Sequence, residues 1–294
     1  MAIFIDEKDI GTAWLAAYEA LQETGQAVNL SVAIAHPLHE DVGVRRAIER
    51  RLVELQAAGT SNFANPQSMH TVANTIFPIG LYRPGRDGAA SRFMANVHRN
   101  EGLRASSRSR RWGTYIGRLT AYPSQDGSTT NQLELILKTL NAGRKYVDTY
   151  EMPIVAPDVD LGSPGHLTSG AVLHGDVGFD TLKRGGPCLA HISLTSSRDG
   201  ALSMVALYRA HVYETRAYGN FLGLARLLAF LAAESGRDVG QLLVVTGHAY
   251  SAAPGRATLL AAACAAAGTV TPIEISARRL GATMRDLDLP TVLR

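Results

Sequence analysis

The residue with the clearest chemical potential in this sequence is Cys188. It follows Gly-Gly-Pro and precedes an apolar run typical of a β-strand, so the thiol is predicted at a loop-to-strand junction. A cysteine reacts through its thiolate, and nearby Arg or His side chains favour that form by lowering the thiol pKa below about 8.5. The alternative is that Cys188 is a small buried apolar residue, which is how we interpret Cys264 in its alanine-rich segment.

Two polar residues interrupt apolar segments downstream of this thiol. Arg209 ends a predicted apolar strand, where a guanidinium needs an anion, either a carboxylate of the protein or a substrate phosphate. Asn220 opens the most apolar predicted helix. It can serve as the helix N-cap, or its amide, both donor and acceptor, can bind the polar edge of a heterocyclic ring.

A histidine and a tyrosine end the next predicted strand. His248 and Tyr250 are two residues apart, so their side chains are expected on the same face of the sheet. Both can hydrogen-bond to sugar hydroxyls. By itself this pair is only a weak indication of a binding site.

The composition limits the classes of protein to which the chain can belong. Of 294 residues, 46% are apolar and 19% charged, which is enough to form a core and excludes a disordered chain. A net charge of +3 is too small to predict a nucleic-acid partner. Two cysteines and no recognisable signal peptide predict a cytoplasmic protein. The longest apolar stretch, 221–233, contains Arg226 and is too short for a bilayer, so no membrane contact is expected.

The elements that must position these side chains alternate between helices and strands. Without a linker or an internal repeat, they predict a single α+β domain over residues 1–294. Segments 83–111 and 156–186 are predicted as loops. Helices are predicted over 10–24, 42–59, 68–77, 129–144, 220–235 and 256–268, and strands over 28–35, 145–154, 189–197, 201–213, 241–250 and 271–278.

Three other patterns have a structural and a functional interpretation. The basic cluster within 104–111 is interpreted as a solvated loop, with phosphate contact as the alternative. The His and acidic residues of 36–41 have the composition of a metal site, but Pro37 favours an exposed polar turn, so no metal is predicted. The segment VVTGHAYSAAPGR has a glycine after a strand but lacks G-x-G-x-x-G, which argues against dinucleotide binding.

Taken in order, the motifs resemble those of the thymidylate synthase and pyrimidine nucleotide hydroxymethylase superfamily. In that family a Pro-Cys nucleophile begins a strand, a phosphate-binding Arg ends the next, an Asn opens a long apolar helix, and a His-x-Tyr pair follows. The resemblance covers about residues 112–250 and leaves 1–111 divergent. The matching positions here are Cys188, Arg209, Asn220, Val239-Gly240, His248 and Tyr250, with WGTYIGRLTAYPSQDG and NQLELILKTLNAGRKYVDTYEMP upstream.

The resemblance implies a fold and an assembly. It predicts a thymidylate synthase-like α+β fold, a mixed β-sheet covered by helices, and a homodimer formed through the sheet with shared active sites. Arg144 matches the first arginine of the family's double-Arg strand and Lys145 replaces the second. These two residues are expected to reach the partner's substrate phosphate and complete the cluster with Arg209. Lysine binds phosphate as a point charge, so this departure should loosen the site slightly.

The resemblance also implies a reaction. Cys188 would add to C6 of a pyrimidine nucleotide, and C5 would then take a one-carbon unit from 5,10-methylenetetrahydrofolate, by methylation or hydroxymethylation. Asn220 matches the residue that reads the ring, and asparagine rather than aspartate favours uracil over cytosine. The alternative is a catalytically divergent or inactive thymidylate synthase-like protein that only binds nucleotides.

The chain departs from the family pattern at several positions. No Arg-Thr-Gly phosphate loop is visible, and the C-terminal tail that closes over folate has no counterpart in LDLPTVLR. The general-base Glu has no clear match, because Asn74 and Thr75 occupy its region and Glu49 fits only by another alignment. Other differences are Val212 in place of an Asp before the helix, and Leu189 in place of the His after the nucleophile, with His191 two residues further on.

Overall fold

A computed structural model gives the fold of the protein. It describes residues 2–58, 67–105, 113–123, 127–142, 147–148, 150–155, 187–197, 200–251 and 255–275. The predicted loop 156–186, the pair Arg144 and Lys145, and most of the basic cluster of 104–111 lie outside the described residues.

Ten strands are present in the described part of the chain, and six of them form one mixed sheet. Its order is β1-β2-β9-β8-β7-β6, in which β1 and β2 are parallel, β8 and β9 are parallel, and the other neighbours are antiparallel. Strands β3 and β10, and β4 and β5, form two small antiparallel pairs. The strands are β1 Ile3–Glu7, β2 Gln26–Ile34, β3 His39–Asp41, β4 Tyr122–Pro123, β5 Thr129–Thr130, β6 Tyr150–Pro153, β7 Leu189–Ser196, β8 Ala201–Val212, β9 Asp238–Tyr250 and β10 Val270–Pro272.

Eight α-helices are present within the described ranges. They are α1 Ile10–Ala20, α2 Val42–Ala57, α3 Met69–Ala73, α4 Ala89–Ala105, α5 Tyr115–Thr120, α6 Gln132–Asn141, α7 Tyr218–Glu234 and α8 Arg256–Ala266. A π-helical turn, Tyr213–Ala217, leads directly into α7.

Helix α7 is the centre of the core. Each of its residues from Tyr218 to Ala232 is buried, as its nearly continuous apolar sequence predicts. It connects the parallel strands β8 and β9, so it crosses one face of the sheet. On β8, Leu202, Met204 and Ala206 point to this buried face while Val205 and Leu207 remain exposed on the other. Among the described residues, the sheet therefore has one face covered by helices and one open face.

The sheet is kinked at one level across three adjacent strands. At Val28–Asn29 of β2, Arg209–Ala210 of β8 and Gly247–His248 of β9, two successive residues lie off the buried face, and the residues on both sides of each pair are buried. Asn29 has φ 57°, a left-handed conformation that asparagine tolerates better than most residues. The irregularity shifts the alternation of side chains by one residue, as a bulge does. It brings Tyr208 and His211 onto the same face.

The predicted α+β class and the mixed sheet flanked by helices are confirmed. Most predicted elements are present with shorter bounds. The prediction of a loop over 83–111 is wrong, because α4 occupies Ala89–Ala105 and buries Phe93 and Val97 despite its many polar residues. The prediction that Asn220 opens its helix is also wrong, since α7 begins two residues earlier and Ala217 is the N-cap residue.

Two further expectations about polarity are corrected by burial. The turn at 36–41 is not simply exposed: Asp41 is buried and its Oδ1 accepts the Val44 N–H at 3.1 Å at the start of α2, and the carboxylate of Glu40 lies 3.2 Å from Arg45. No group of three potential metal ligands occurs among the described residues. Cys264, expected to be buried, is exposed on α8. In the part of the chain that the structure describes, no helix has the length and apolarity needed to cross a membrane.

Candidate functional site around Cys188

Cys188 lies immediately before β7 and is partly buried. Its carbonyl accepts the backbone N–H of Arg209 at 2.9 Å, and its own N–H donates to the Tyr115 hydroxyl at 3.2 Å. The same hydroxyl lies 3.4 Å from the N–H of Leu189. Strand pairing and a tyrosine from α5 therefore hold the backbone of the cysteine in place. None of these contacts involves its side chain.

Opposing effects act on the thiol of Cys188. Burial raises its pKa, whereas the positive charges of Arg209 and Arg216 lower it, and burial is the larger effect. The expectation that neighbouring arginines would pull the thiol pKa down is therefore only half met, because the arginines are present but do not outweigh burial. A bound anion would change this balance again, since it would occupy the same guanidinium groups.

Arg209 is exposed rather than buried, which differs from the expectation for the end of an apolar strand. Its Nε donates to the carbonyl of Pro187 at 2.8 Å, so the base of the guanidinium is held beside the cysteine loop. Among the described residues no carboxylate forms a salt bridge with it. The terminal nitrogens are therefore available to an anion from outside the described chain.

Two buried tyrosines, Tyr115 and Tyr208, interact with the thiol, and a third, Tyr213, lies beyond them against His211. Tyr115 is buried, and burial followed by the nearby Cys188 raises its pKa to about 12. Tyr208 and Tyr213 are fully buried, and their hydroxyls have no hydrogen-bond partner within the described ranges. Burial also raises the pKa of Tyr208, with smaller contributions from Tyr115 and Cys188. A buried hydroxyl without a partner is costly, so these two hydroxyls are candidates for contact with a ligand or water.

Asn220 is joined to this group through a histidine. Its Nδ2 lies 2.9 Å from Nε2 of His211, and both side chains are buried. The His211 ring stacks on the ring of Tyr208, with 4.3 Å between centroids and 3° between planes. The sequence Cys188, Tyr208, His211 and Asn220 is thus a continuous series of neighbours from the thiol to the amide.

The predicted pair His248 and Tyr250 lies on one face of β9, as expected. The rings stack with centroids 5.1 Å apart, and Nε2 of His248 is 3.2 Å from Oε1 of Gln26. Burial raises the pKa of Tyr250, and the charges of Cys188 and Glu214 raise it further. Tyr250 therefore lies within electrostatic reach of the cysteine, and the pair borders the same site.

A buried carboxylate that the sequence analysis did not single out lies next to Tyr250. Glu214 is 2% exposed, and its Oε1 accepts the hydroxyl of Tyr18 at 3.2 Å and that of Ser251. Its Oε2 has no hydrogen-bond partner among the described residues. Burial, then Glu214, raises the pKa of Tyr18. The backbone carbonyl of neighbouring Tyr213 accepts the Trp14 indole N–H at 3.1 Å, which anchors the turn that carries Glu214.

The possible substitute for the general base, Glu49, and the other residues at which the chain departs from the family pattern make local contacts. Glu49 is on α2, where its carboxylate is 3.4 Å from Arg45. Asn74 follows α3 and accepts the N–H of Ile79 at 3.3 Å, and the Thr75 hydroxyl donates to the Val72 carbonyl at 2.7 Å. His191 points to the open side of β7, with Nε2 at 2.5 Å from a carboxylate oxygen of Glu151. Each has a local structural role.

Of the seven predicted site residues, the structure places Cys188, Arg209 and Tyr250 in one neighbourhood and His248 at its border. Asn220 joins them through His211, and Arg144 and Lys145 lie outside the described residues. The sequence analysis missed five residues. Four of them lie in the stretch YRAHVYETR, whose polar and aromatic residues between two strongly apolar segments could have indicated a site. The missed residues are Tyr115, Tyr208, His211, Glu214 and Arg216.

The comparisons with known proteins add nothing to this geometry: no protein-family model matches the chain, and no curated protein matches it either.

Proposed function

We propose that this protein is a transferase that attaches a one-carbon unit to C5 of a pyrimidine nucleotide through covalent addition of Cys188 to C6. The observation that carries the proposal is the convergence of a held thiol, an arginine with open terminal nitrogens, and an amide connected to the thiol through two stacked rings. A nucleotide needs these three contacts at its reactive carbon, its phosphate and its base.

The proposed reaction uses the thiolate as a temporary activator of the ring. The sulfur forms a bond to C6, and the C5–C6 π electrons move onto O4. C5 then forms a bond to a one-carbon electrophile, and the hydrogen on C5 leaves as a proton. The carrier departs from the new carbon with the electrons of their shared bond, and hydride (giving a methyl group) or water (giving a hydroxymethyl group) adds to that carbon. The sulfur finally leaves with the electrons of the S–C6 bond as the C5–C6 double bond forms again. The residues around Cys188 stabilise the negative charge on O4 and bind the phosphate. They do not carry the one-carbon unit.

Binding of the nucleotide is assigned to the predicted set. Arg209 holds the phosphate, His248 and Tyr250 contact the sugar, and the Asn220 amide reads the ring. In the family, the partner subunit adds two cations to the phosphate, so Arg144 and Lys145 would complete the site in trans. The neighbouring buried hydroxyls of Tyr208 and Tyr213 fit a ligand that presents further polar atoms.

The one-carbon donor follows from the family resemblance. When bound, 5,10-methylenetetrahydrofolate would supply the one-carbon unit, together with a hydride if a methyl group is the product. Residues 276–294, in which the sequence shows no counterpart of the family's folate-closing tail, lie outside the described residues. The donor is therefore a second proposal, and its test is product formation with and without it.

Release of tritium from C5 tests the central step. Reversible addition of the thiolate lets C5 take a proton from water and lose its tritium, so no donor is needed. We expect the purified protein to release tritium from [5-³H]UMP or [5-³H]dUMP faster than from the nucleotides in buffer. Tight nucleotide binding without release would contradict the proposal.

The second candidate function is nucleotide binding without turnover. It is favoured because burial raises the pKa of Cys188. Most of the protein therefore carries the thiol form near neutral pH. The tritium experiment separates the two functions because this alternative requires binding but forbids exchange.

Arg209 should matter for the phosphate and much less for the rest of the ligand. Arg209→Ala removes a charge-assisted contact, so we expect nucleotide binding to weaken by about 1.5–3 kcal/mol, or roughly 10–150-fold. The corresponding nucleoside should lose far less. Isothermal titration with UMP and uridine measures both, and equal losses for the two ligands would exclude the phosphate role.

We also propose that the protein is a homodimer formed through the open face of the sheet. A row of paired residues crosses this face from β8 to β1: Leu207 pairs with Val245, Val245 with Ser31, and Ser31 with Phe4. Leu207 and Phe4 are 44% and 66% exposed. A second copy related by a twofold axis would bury these exposed apolar side chains against its own.

Leu207→Glu should dissociate this dimer. A carboxylate would be buried near its symmetry mate in the interface, so we expect the dissociation constant to rise by at least about 100-fold. Light scattering after size-exclusion chromatography measures the mass. Val53→Glu is the matched control, because Val53 is 65% exposed on α2, away from the sheet. A monomeric wild-type protein, or a mass unchanged by Leu207→Glu, would exclude this interface.

A further inference from the structure

The strongest unassigned feature is the buried pair of His211 and Asn220. Both side chains are at most 5% exposed, and Nδ2 of the amide lies 2.9 Å from Nε2 of the imidazole. The other ring nitrogen, Nδ1, faces the hydroxyl of the buried Thr246 at 3.5 Å. The ring is further held by stacking on Tyr208 and by edge contact with Phe221.

The imidazole of His211 is neutral at physiological pH. Burial lowers its pKa to about 3, and no carboxylate among the described residues is paired with it. A neutral imidazole has one N–H and one lone pair. The amide nitrogen of Asn220 faces Nε2 and can only donate, so Nε2 accepts from it and the ring proton is on Nδ1, toward the Thr246 oxygen.

An amide held in this way can present only one order of donor and acceptor to a ligand. One N–H of Asn220 is used by His211, and Oδ1 and the second N–H, which have no other hydrogen-bond partner among the described residues, form the edge offered to a ligand. Uracil offers an acceptor at O4 and a donor at N3, whereas cytosine offers a donor at N4 and an acceptor at N3. The Cys188 bond and the phosphate contact fix the orientation of the ring. One base then pairs its donor and acceptor with those of the Asn220 amide, whereas the other places donor against donor and acceptor against acceptor.

We propose that His211 is a positioning residue that prevents rotation of the Asn220 amide and so makes the site prefer uracil to cytosine. This inference rests on the proposed function and deepens it. Without the histidine, the amide can turn by 180° and match either base. A buried donor that faces another donor is left without a hydrogen bond. The cost of that unpaired group gives hydrogen-bonding sites their selectivity.

The kink of the sheet makes this arrangement possible. Tyr208 and His211 are three residues apart on β8 and would lie on opposite faces of a regular strand. Because Arg209 and Ala210 both leave the buried face, His211 is returned to it, directly on Tyr208 and opposite α7. The feature that exposes the phosphate-binding arginine thus also buries the histidine that holds the amide.

The experiment compares the dissociation constants of UMP and CMP, and of dUMP and dCMP, by isothermal titration. We expect the wild type to prefer the uracil nucleotide by at least about tenfold. His211→Gln, whose amide can donate or accept, should reduce the preference to within about threefold, and His211→Phe should do the same while keeping a ring on Tyr208. His36→Gln is the control, since His36 lies against His39 outside this group.

Two outcomes would overturn the inference: an unchanged base preference in folded His211 variants, or a ¹⁵N spectrum of the wild type that shows the His211 proton on Nε2. The spectrum needs no variant, so it decides the matter even if both variants fail to fold. Failure to bind any of the four nucleotides would instead reject the proposed function itself. Binding that does not depend on His211 rejects only its positioning role.

Discussion

Cys188→Ser should abolish tritium release from C5 of the nucleotide, with a fall of at least about 1,000-fold, while nucleotide affinity stays within about threefold. The serine hydroxyl has the size of the thiol but almost no ionised form near neutral pH, so the addition to C6 is lost and the contacts to phosphate and base remain. Exchange and equilibrium binding are measured on the same preparations.

Cys264→Ser is the matched control for this prediction. The second cysteine is exposed on α8, away from the residues around Cys188, and its replacement should leave exchange unchanged. Exchange that persists in Cys188→Ser would remove Cys188 from the mechanism, and exchange that is also lost in Cys264→Ser would show that the loss is not specific to Cys188.

The pH dependence of exchange gives an independent check on the nucleophile. Burial raises the pKa of Cys188 more than Arg209 and Arg216 lower it, so the thiolate is a minor species at pH 7. Its fraction grows about tenfold per pH unit below that pKa, and the exchange rate should rise with the same slope between pH 7 and 8. A rate independent of pH over this range would indicate a different rate-limiting group.

The second large effect is a loss of stability in mild acid, caused by two buried histidines. Burial, then Arg226, lowers the pKa of His70 to about 4, and burial lowers that of His211 to about 3. Both remain neutral in the folded protein while the unfolded chain binds protons near pH 6.5. The stability is therefore complete above pH 6.5 and is lost as the pH falls toward 4 and 3.

Between pH 6 and 4.5 the unfolded chain binds about two more protons than the folded protein. The free energy of unfolding should then fall by about 2–3 kcal/mol per pH unit. Glu40 acts in the opposite direction, because burial raises its pKa and the folded protein takes up a proton there as the pH falls. Urea denaturation at pH 7.5, 6.0 and 5.0 measures the slope.

Removal of one histidine should reduce that slope by about half. His70→Gln is the first variant to compare, since His70 lies 3.4 Å from Arg226 outside the proposed site. His36→Gln should leave the slope unchanged. A free energy of unfolding that is constant from pH 7.5 to 5.0 would show that the two rings are not neutral in the folded protein.

Local sequence patterns were sufficient for most of the fold. The apolar run of α7, the alternation along β8 and β9, and the stops at glycine and proline predicted these elements, because helix and strand periods are written into consecutive residues. Helix α4 was missed because its arginines and asparagines obscure four buried positions, among them Phe93. The site residues on β8, β9 and α7 were found through their order along the chain, and the thiol through its junction.

What only the tertiary structure decided is how these side chains face one another. In a regular strand, Tyr208 and His211 would lie on opposite faces because they are three residues apart. The bulge-like kink at Arg209–Ala210, which is repeated in the neighbouring strands, places them on the same face instead. Burial of the Glu214 carboxylate and of the His211 ring, and the net pKa of Cys188, likewise depend on elements distant in sequence. The sequence by itself determined which chemical groups are available and on which elements they lie. Their burial, partners and protonation depend on long-range packing, which no local pattern records.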